Sequence, residues 1–327
     1  MRFELKRFFL EFNEPFSIAH GSRTGTDVVL LKLVSDQHEA WGEASLPPYL
    51  PETQDSVSEF ISDFFRDLKT DELSYSELHA QLMGYRQGNY AAKACVDIAL
   101  CNLYSMKAGL QVWQWLGLQK EPLPLCTFTI GMGTPDQIRN KINAAKDFAM
   151  LKVKLGGEMD REIMEAVRSI TDKPVCVDVN QGWHRKEDAL EMIRWLSGMD
   201  VQFVEQPLPK GALQDMLWLS YKSPLPLYAD ESAQVADDVS DVSRCFHGVN
   251  VKLMKCGGVT EGLRMIRKAK ALGMKVLIGS MSETSCGVTA AAQLSSLADY
   301  VDLDGPLLTR NNPFPIPLYE GGRIMLS

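Results

Sequence analysis

The sequence predicts an α/β protein in which a barrel of parallel strands follows a separate α+β domain. The 327 residues are too many for one small core. From about residue 125 onward, apolar strand-like segments alternate with amphipathic helical segments at a spacing of ~25 residues, as expected of successive βα units. Before residue 120, alternating segments followed by helices indicate an antiparallel sheet with its own helical layer.

Eight segments of the second region are typical of strands, and this number fits a (β/α)₈ barrel better than an open sheet, which usually has fewer strands. The segments are, in order, "LCTFTIGM", "MLKVKLGG", "PVCVDVNQGW", "VQFVEQPL", "LYADES", "GVNVKLMKCGG", "KVLIGSM" and "YVDLDGP". Helical segments such as "REIMEAVRSI", "KEDALEMIRWLSG" and "EGLRMIRKAKALG" lie between them. In the second segment, Lys152 and Lys154 alternate with apolar residues, which places both ammonium groups on one face of the strand.

The first region contains two alternating segments, "RFELKRFFLEF" and "DVVLLKLVSDQHEAWGEAS", and a helical segment, "YAAKACVDIALCNLYSMKAG". The proline-rich tail "NNPFPIPLYEGGRIMLS" does not continue the βα pattern, so we expect it to pack against the first domain. The predicted organisation is an α+β domain over residues 1–120, a barrel over 121–304 and a C-terminal segment over 305–327.

Composition and charge argue against several classes of function. No apolar run approaches the ~20 residues that span a bilayer, so we expect no membrane partner. The net charge of −8 is spread along the chain without basic clusters, which argues against binding to nucleic acid. The seven cysteines form no C-x-x-C pair and lie mostly in apolar segments, as buried free thiols do. The charged N-terminus lacks a signal-peptide pattern, and we expect a cytoplasmic protein.

Polar and charged side chains collect at the ends of the predicted barrel strands, where such barrels place their active sites. In strand order they are Lys152, Lys154, Asp178, Asn180, Glu205, Asp230, Glu231, Lys252, Asp302 and Asp304. Asp178, Glu205 and Asp230 fall on three consecutive strands and would converge. Carboxylates brought that close must share protons or bind a cation, and an all-oxygen site favours Mg²⁺. The alternative for each single acid is that it caps a helix or pairs with an arginine.

The lysines of strands two and six would then face each other across the mouth of the barrel. A lysine in such a site has a neighbouring ammonium group and a metal ion beside it. We expect both to bring its pKa toward neutrality.

The motifs at the strand ends resemble those of the enolase superfamily, and within it the muconate-lactonizing branch, over essentially the whole chain. They are "KVK" at strand two, "DVN" at three, "VEQPL" at four, "ADES" at five and "VKLMKCGG" at six. The resemblance implies a modified TIM (β/α)₇β barrel in which the first region is an α+β capping domain.

The resemblance also implies the roles of the charged residues. Asp178, Glu205 and Asp230 would hold one Mg²⁺ per subunit, with Lys154 and Lys252 as acid/base residues on opposite faces of the substrate. The reaction shared by the superfamily removes the proton α to a carboxylate and gives an enediolate that the metal stabilises.

Three further residues have supporting roles by the same resemblance. Lys152 would be an auxiliary group that contacts the substrate, and Asn180 would support the site. Lys252 is preferred to Lys255 as the acid/base residue because it lies at the inward-facing end of its strand.

The sequence also narrows the choice within the superfamily. Members similar to mandelate racemase would need a histidine near strand seven, and "KVLIGSM" has none. Cycloisomerases, o-succinylbenzoate synthases, N-acyl amino acid racemases and dipeptide epimerases remain. Asp302 and Asp304 in "DLDGP" resemble the Asp-x-Asp pair that holds the substrate amine in dipeptide epimerases. Their alternative role is to cap the following turn.

The residues that would recognise the substrate side chain lie in predicted loops. Arg23, in "IAHGSRTGTD", resembles the arginine that binds the side-chain carboxylate of the C-terminal glutamate in L-Ala-D/L-Glu epimerases. His20 is the competing position. Met281, Ser282 and Glu283 are expected to line the same pocket.

We therefore expect a Mg²⁺-dependent isomerase that inverts the α-carbon of the C-terminal residue of a small-molecule dipeptide. The expected substrate is L-Ala-D/L-Glu, in murein peptide recycling. An o-succinylbenzoate synthase or N-acyl amino acid racemase could use the same site. A noncatalytic barrel that binds a metal or metabolite would not need both lysines. The sequence does not decide whether the protein is a homo-oligomer.

Overall fold

The N-terminal region forms a three-stranded antiparallel sheet in this computed structural model, which describes residues 1–19, 21–68 and 73–326. The strands are β1 (Arg2–Ile18), β2 (Gly21–Ser35) and β3 (His38–Leu46). The alternating segment that begins at Asp27 contains the second part of β2 and all of β3 except its last residue, Leu46. It turns at Asp36, whose φ of 54° is a left-handed conformation that aspartate tolerates.

Helices cover one side of this sheet. They are α1 (Gln54–Asp67), α2 (Tyr75–Tyr85), α3 (Tyr90–Lys107) and the short α4 (Val112–Trp115). Helix α3 is buried on nearly all sides. Its small residues Ala91, Ala92, Ala94 and Ala99 allow close packing, and it contacts both the sheet and the barrel. The sheet and these helices form the predicted α+β domain, called the capping domain below.

In the part of the chain that the structure describes, eight parallel strands form the barrel. They are β4 (Thr127–Ile130), β5 (Met150–Lys154), β6 (Val175–Asp178), β7 (Val201–Glu205), β8 (Leu227–Ala229), β9 (Gly248–Lys252), β10 (Lys275–Gly279) and β11 (Tyr300–Asp302). Neighbours in sequence are neighbours in the sheet. A parallel bridge between Cys126 and Val301 joins the first strand to the last and closes the barrel. The predicted fold class is confirmed.

Helices surround the barrel. They are α5 (Pro135–Ala144), α6 (Asp160–Arg168), α7 (Lys186–Ser197), α8 (Leu213–Lys222), α9 (Asp238–Val242), α10 (Leu253–Cys256), α11 (Val259–Ala271) and α12 (Ser285–Ala292). Their apolar faces recur at helical spacing, as with Ile163, Met164 and Val167 of α6, and pack on the outward-facing residues of the strands. None of the helices in the described ranges is long and apolar enough to cross a membrane.

The interior of the barrel is apolar near the amino ends of its strands and polar near their carboxyl ends. Met150, Cys176, Phe203, Tyr228 and Leu277 form the apolar layer near the amino ends of the strands. Because side chains alternate along a strand, the inward-facing positions after Met150 are Lys152 and Lys154. The same alternation brings the polar residues of the other strands to the carboxyl end of the barrel.

The C-terminal segment contacts both parts of the molecule. Thr309 bridges to Phe12 of β1, and the Arg310 guanidinium pairs with Glu11. Beyond these contacts, the hairpin of β12 (Tyr319–Glu320) and β13 (Arg323–Ile324) packs on the barrel, where Ile324 is part of its core.

Candidate active site

A cavity of about 550 Å³ opens between the carboxyl ends of the barrel strands and the capping domain. This volume is in the range of ~300–1,000 Å³ that is usual for small-molecule sites. The sequence-predicted residues that line the cavity are Arg23, Lys152, Lys154, Asn180, Asp230, Glu231, Lys252, Lys255, Met281, Ser282, Asp302 and Asp304. Asp178 and Glu205 are fully buried next to the lining residue Lys152.

Three carboxylates from consecutive strands form a cluster in this site. One oxygen each of Asp178, Glu205 and Asp230 lies within 4.8 Å of the others. The Oε2 atom of Glu205 is buried and accepts no hydrogen bond, although the Lys152 ammonium lies 2.8 Å away. Three converging carboxylates fit a hard divalent cation such as Mg²⁺, and the buried Glu205 Oε2 atom, which makes an ion pair but accepts no hydrogen bond, has the capacity to bind one.

The pKa values of the three acids differ with their neighbours. Burial and the adjacent Asp178 raise the pKa of Glu205 to about 7. Burial also opposes ionisation of Asp178 and Asp230, but the lysine ammonium groups beside them outweigh it and hold both pKa values below the usual range.

Lys154 and Lys252 lie on opposite sides of the mouth of the barrel. They end β5 and β9, which are four positions apart in a barrel of eight strands. The Lys154 Nζ atom lies 2.6 Å from Asp178, and the Lys252 Nζ atom lies 2.8 Å from Asp230. Each ammonium group therefore flanks the carboxylate cluster from its own side.

Lys152 is the most deeply placed cation of the site. Its Nζ atom lies 2.7 Å from Asp302, 2.8 Å from Glu205 and 3.0 Å from Asp178. Burial alone would lower the pKa of Lys152, but these three carboxylates raise it well above its usual value.

Burial would likewise lower the pKa of Lys252, but the nearby negative charges, chiefly that of Asp230, raise it above its usual value. The protein's own groups therefore raise the pKa of Lys252, and the expected fall toward neutrality, which includes the charge of the metal, stays a prediction. The nearby carboxylates outweigh both burial and the repulsion from Lys152.

Lys255 supports Asp230 from behind. Its buried ammonium group donates to the Asp230 carboxylate at 2.5 Å and to the backbone carbonyls of Asp230, Ala233 and Asn250. Four acceptors hold this side chain in place. Lys255 lines the cavity as Lys252 does, but these bonds hold its ammonium group against Asp230.

Sequence reasoning missed Asn250. Its amide donates to Glu205 Oε1 at 2.7 Å. It precedes Lys252 by two residues on β9, and this alternation is the signal that could have identified it.

Asp302 and Asp304 lie together at the end of β11, as the "DLDGP" motif indicates. Asp302 pairs with Lys152 and accepts a hydrogen bond from Thr127 Oγ1 at 2.8 Å. Asp304 accepts from the Thr129 backbone N–H at 2.6 Å. Burial and the neighbouring Asp302 raise the pKa of Asp304 to about 7. Asp304 therefore has more capacity than Asp302 to accept a hydrogen bond from a further donor.

Arg23 reaches the cavity from the capping domain. Its guanidinium lies over the rings of Phe12 and Tyr49, 5.7 and 5.8 Å from their centroids. The Nη1 atom is buried and, within the described ranges, has no hydrogen-bond partner. Burial lowers the pKa of Arg23. The competing position, His20, lies outside the described residues.

The loop after β10 completes this side of the cavity. The Met281 sulfur accepts from the Tyr49 hydroxyl at 3.2 Å, and the Ser282 carbonyl accepts from Ser45 Oγ at 2.6 Å. Glu283 accepts from the Met281 backbone N–H at 2.7 Å. Glu283 is absent from the cavity lining, so it holds the loop and does not line the pocket as expected. Tyr49 has no periodic signal in the sequence because it lies in a loop.

The sequence and the fold have close counterparts among known proteins. The model of the family described as enolase C-terminal domain-like matches residues 136–307. L-Ala-D/L-Glu epimerase of Bacteroides thetaiotaomicron is 42% identical over 319 residues, which cover 97% of this chain and 83% of that protein.

Two solved structures share the whole architecture. A substrate-liganded complex of the L-Ala-D/L-Glu epimerase from Bacillus subtilis superposes with a TM-score of 0.94 at 27% identity, over 100% of this chain and 96% of that one. Dipeptide epimerase from Cytophaga hutchinsonii, complexed with Mg and D-Ala-L-Val, has a TM-score of 0.92 at 27% identity, over 99% and 92% of the two chains. The resemblance found in the motifs is confirmed: the chain belongs to the enolase superfamily and, within it, to the dipeptide epimerases, which are isomerases.

Proposed function

We propose that this protein is a Mg²⁺-dependent epimerase that inverts the α-carbon of the C-terminal residue of L-Ala-D/L-Glu. The observation that carries the proposal is the placement of Lys154 and Lys252 on opposite sides of the carboxylate cluster. Inversion requires that a proton leave one face of the α-carbon and return to the other. Two lysines facing each other supply both positions.

Asp178, Glu205 and Asp230 would hold the Mg²⁺. When bound, the ion supplies positive charge next to the substrate carboxylate, which lowers the energy needed to remove the α proton. The choice of metal is supported by the Mg in the Cytophaga hutchinsonii complex and by the all-oxygen donor set. The Lys152 ammonium adds a fixed positive charge beside the same carboxylates.

The lysines then exchange one proton with the substrate. One lysine, as a neutral amine, removes the α proton and becomes an ammonium group, while the electron pair moves into the substrate carboxylate. The other lysine, as an ammonium group, donates a proton to the opposite face and becomes a neutral amine. The number of protons is unchanged, and the two lysines exchange roles in the reverse reaction.

The two ends of the dipeptide would be held by separate groups. Asp304, with Asp302 beside it, would accept the substrate ammonium group. Arg23 would bind the glutamate side chain, because its buried Nη1 needs an acceptor. This substrate would assign the protein to murein peptide recycling in the cytoplasm.

Deuterium incorporation in D₂O tests the proposal. We expect the wild-type protein with Mg²⁺ to convert L-Ala-L-Glu to L-Ala-D-Glu and to incorporate one deuterium at the inverted carbon. Lys154→Ala and Lys252→Ala should each abolish epimerisation but leave slow exchange with retention in one epimer, a different epimer for each variant. Lys146→Ala, an exposed lysine on the barrel surface, is the control and should epimerise normally.

Near wild-type interconversion by either active-site variant would contradict the two-lysine mechanism. A wild-type protein that processes N-acetyl dipeptides as well as free ones would instead be an N-acyl amino acid racemase, because acetylation removes the charge that Asp304 would bind.

A further inference from the structure

We propose, on the basis of the proposed function, that the cavity has a second anion subsite at Lys141 and that the protein accepts dipeptides with an acidic N-terminal residue. Arg23 would face the side chain of the C-terminal residue, whereas Lys141 would face that of the N-terminal residue. The preferred substrate class would therefore extend from L-Ala-Glu to dipeptides with two acidic side chains.

Lys141 lies beside the proposed binding site of the substrate amine. It is on α5, and its side chain returns to the end of β4, where Nζ is 3.4 Å from the position that a Cβ on Gly131 would occupy. Thr129, two residues earlier on the same strand, binds Asp304 through its backbone N–H. Two strand residues span about 6.6 Å.

A dipeptide anchored through its ammonium group at Asp304 thus has its first α-carbon close to Lys141. A glutamate side chain places its carboxylate about 4–5 Å from that carbon, which is long enough to approach the lysine. An alanine side chain is a single methyl group and leaves this end of the cavity unfilled.

The charge of Lys141 is not matched by a protein partner. In the described part of the chain its ammonium group makes no hydrogen bond or ion pair, although the side chain is half-buried and lines the cavity. Burial lowers the pKa of Lys141, and the exposed Glu14 offsets this only in part. A substrate carboxylate would supply the missing negative charge.

The walls around Lys141 separate it from the Arg23 side of the cavity. Phe16 lies next to the same Gly131 position and packs edge-to-face on Phe12, with 6.1 Å between the ring centroids. Phe12 in turn contacts Arg23. The two cations therefore lie beside different members of one aromatic pair and can bind two different carboxylates.

Substrates that differ only in the charge of the first side chain test this subsite. We expect the wild-type kcat/KM for L-Glu-L-Glu to exceed that for the isosteric L-Gln-L-Glu about tenfold, mainly through KM, because the contact is the same in ground and transition states. Lys141→Met should bring this ratio close to 1. Lys141→Glu should make L-Lys-L-Glu a better substrate than L-Glu-L-Glu. Lys146→Met, which removes a charge from the exposed surface, should keep the wild-type ratio.

Failure of this inference is distinguishable from failure of the proposed function. If L-Ala-L-Glu is epimerised but the wild-type ratio is near 1, or Lys141→Met leaves the ratio unchanged, the second subsite is wrong and the proposed function stands. If none of the dipeptides is epimerised, the proposed function itself is contradicted. Direct titration of Mg²⁺-loaded Lys141→Met with L-Glu-L-Glu and L-Gln-L-Glu should give equal Kd values, and a tenfold preference retained there would also overturn the subsite.

Discussion

Glu205 is the least compensated of the three clustered carboxylates. Asp178 has two lysine ammonium groups within 3.0 Å, and Asp230 has two within 2.8 Å. Glu205 shares Lys152 with Asp178 and Asp302 and receives one hydrogen bond, from Asn250. A bound cation would therefore improve the electrostatic environment of Glu205 most, which makes it the most informative ligand to change.

Glu205→Gln should weaken Mg²⁺ binding at least tenfold, because the substitution removes one negative charge from an all-oxygen site. Calorimetric titration with Mg²⁺ measures this directly and does not depend on turnover. Glu52→Gln, a half-buried glutamate that caps α3 in the capping domain, is the matched control. Equal Mg²⁺ affinity in wild-type protein and Glu205→Gln would remove Glu205 from the ligand set.

Strand alternation explains why most of the site could be predicted at the level of single residues. Lys152 and Lys154 are two residues apart, as are Asp302 and Asp304, and such pairs point to the same side of a strand. The hydrogen bonds of Lys255 could not be predicted this way, because the short helix α10 folds its ammonium group back onto Asp230. Lys141 was missed because it reaches the cavity from a helix.

The packing of β3 on α3 fixes the capping domain. Gly42 of β3 lies so close to the helix that a Cβ there would be 1.9 Å from the Cys95 carbonyl oxygen and 3.0 Å from the Ala99 side chain. A backbone carbonyl within a helix cannot move away without breaking helical hydrogen bonds. The sheet and the helix must therefore separate to admit even one methyl group.

Gly42→Ala should lower the free energy of unfolding by about 3 kcal/mol or more, because it overpacks a rigid backbone contact. Urea denaturation measures the change. Gly84→Ala is the control: Gly84 lies in α2 with no atom near its missing Cβ, so the same substitution should raise stability by about 0.5–1 kcal/mol. A loss below 0.5 kcal/mol in Gly42→Ala would show that the contact is looser than the structure indicates.

At the level of elements, periodicity predicted the strands better than the connections between them. Each of the eight barrel segments contains one barrel strand, because its apolar residues alternate or run together within short limits. The course of the C-terminal segment could not be read from its prolines. Contact with both the capping domain and the barrel depends on two distant surfaces that no local pattern encodes.

At the level of the whole molecule, a polar cluster joins the capping domain to the barrel. His79 on α2 donates from Nδ1 to Asp97 on α3 at 3.0 Å and from Nε2 to Glu261 on α11 at 3.2 Å. Asp97 is fully buried and also accepts from the Tyr75 hydroxyl and the Thr260 backbone N–H. This cluster holds in place the two parts of the molecule that together enclose the cavity.

Burial alone would lower the pKa of His79, but the hydrogen bonds to Asp97 and Glu261 outweigh it and raise the pKa to about 9. An unfolded histidine titrates near 6.5. The folded protein therefore binds the proton more tightly than the unfolded chain. The stability that His79 contributes is complete below pH 6.5 and is lost as the pH rises through about 9.

The free energy of unfolding should accordingly fall between pH 6 and pH 10, with at most about 3 kcal/mol of that fall due to His79. Other groups titrate in the same range, including Glu283, whose pKa is raised to about 8 by burial and the adjacent Glu43. Urea denaturation of wild-type protein and His79→Gln at both pH values isolates the histidine, because the other groups are common to both proteins. The fall should be smaller in His79→Gln by the contribution of His79. If the two proteins lose equal stability, the His79 proton does not help to hold the capping domain on the barrel.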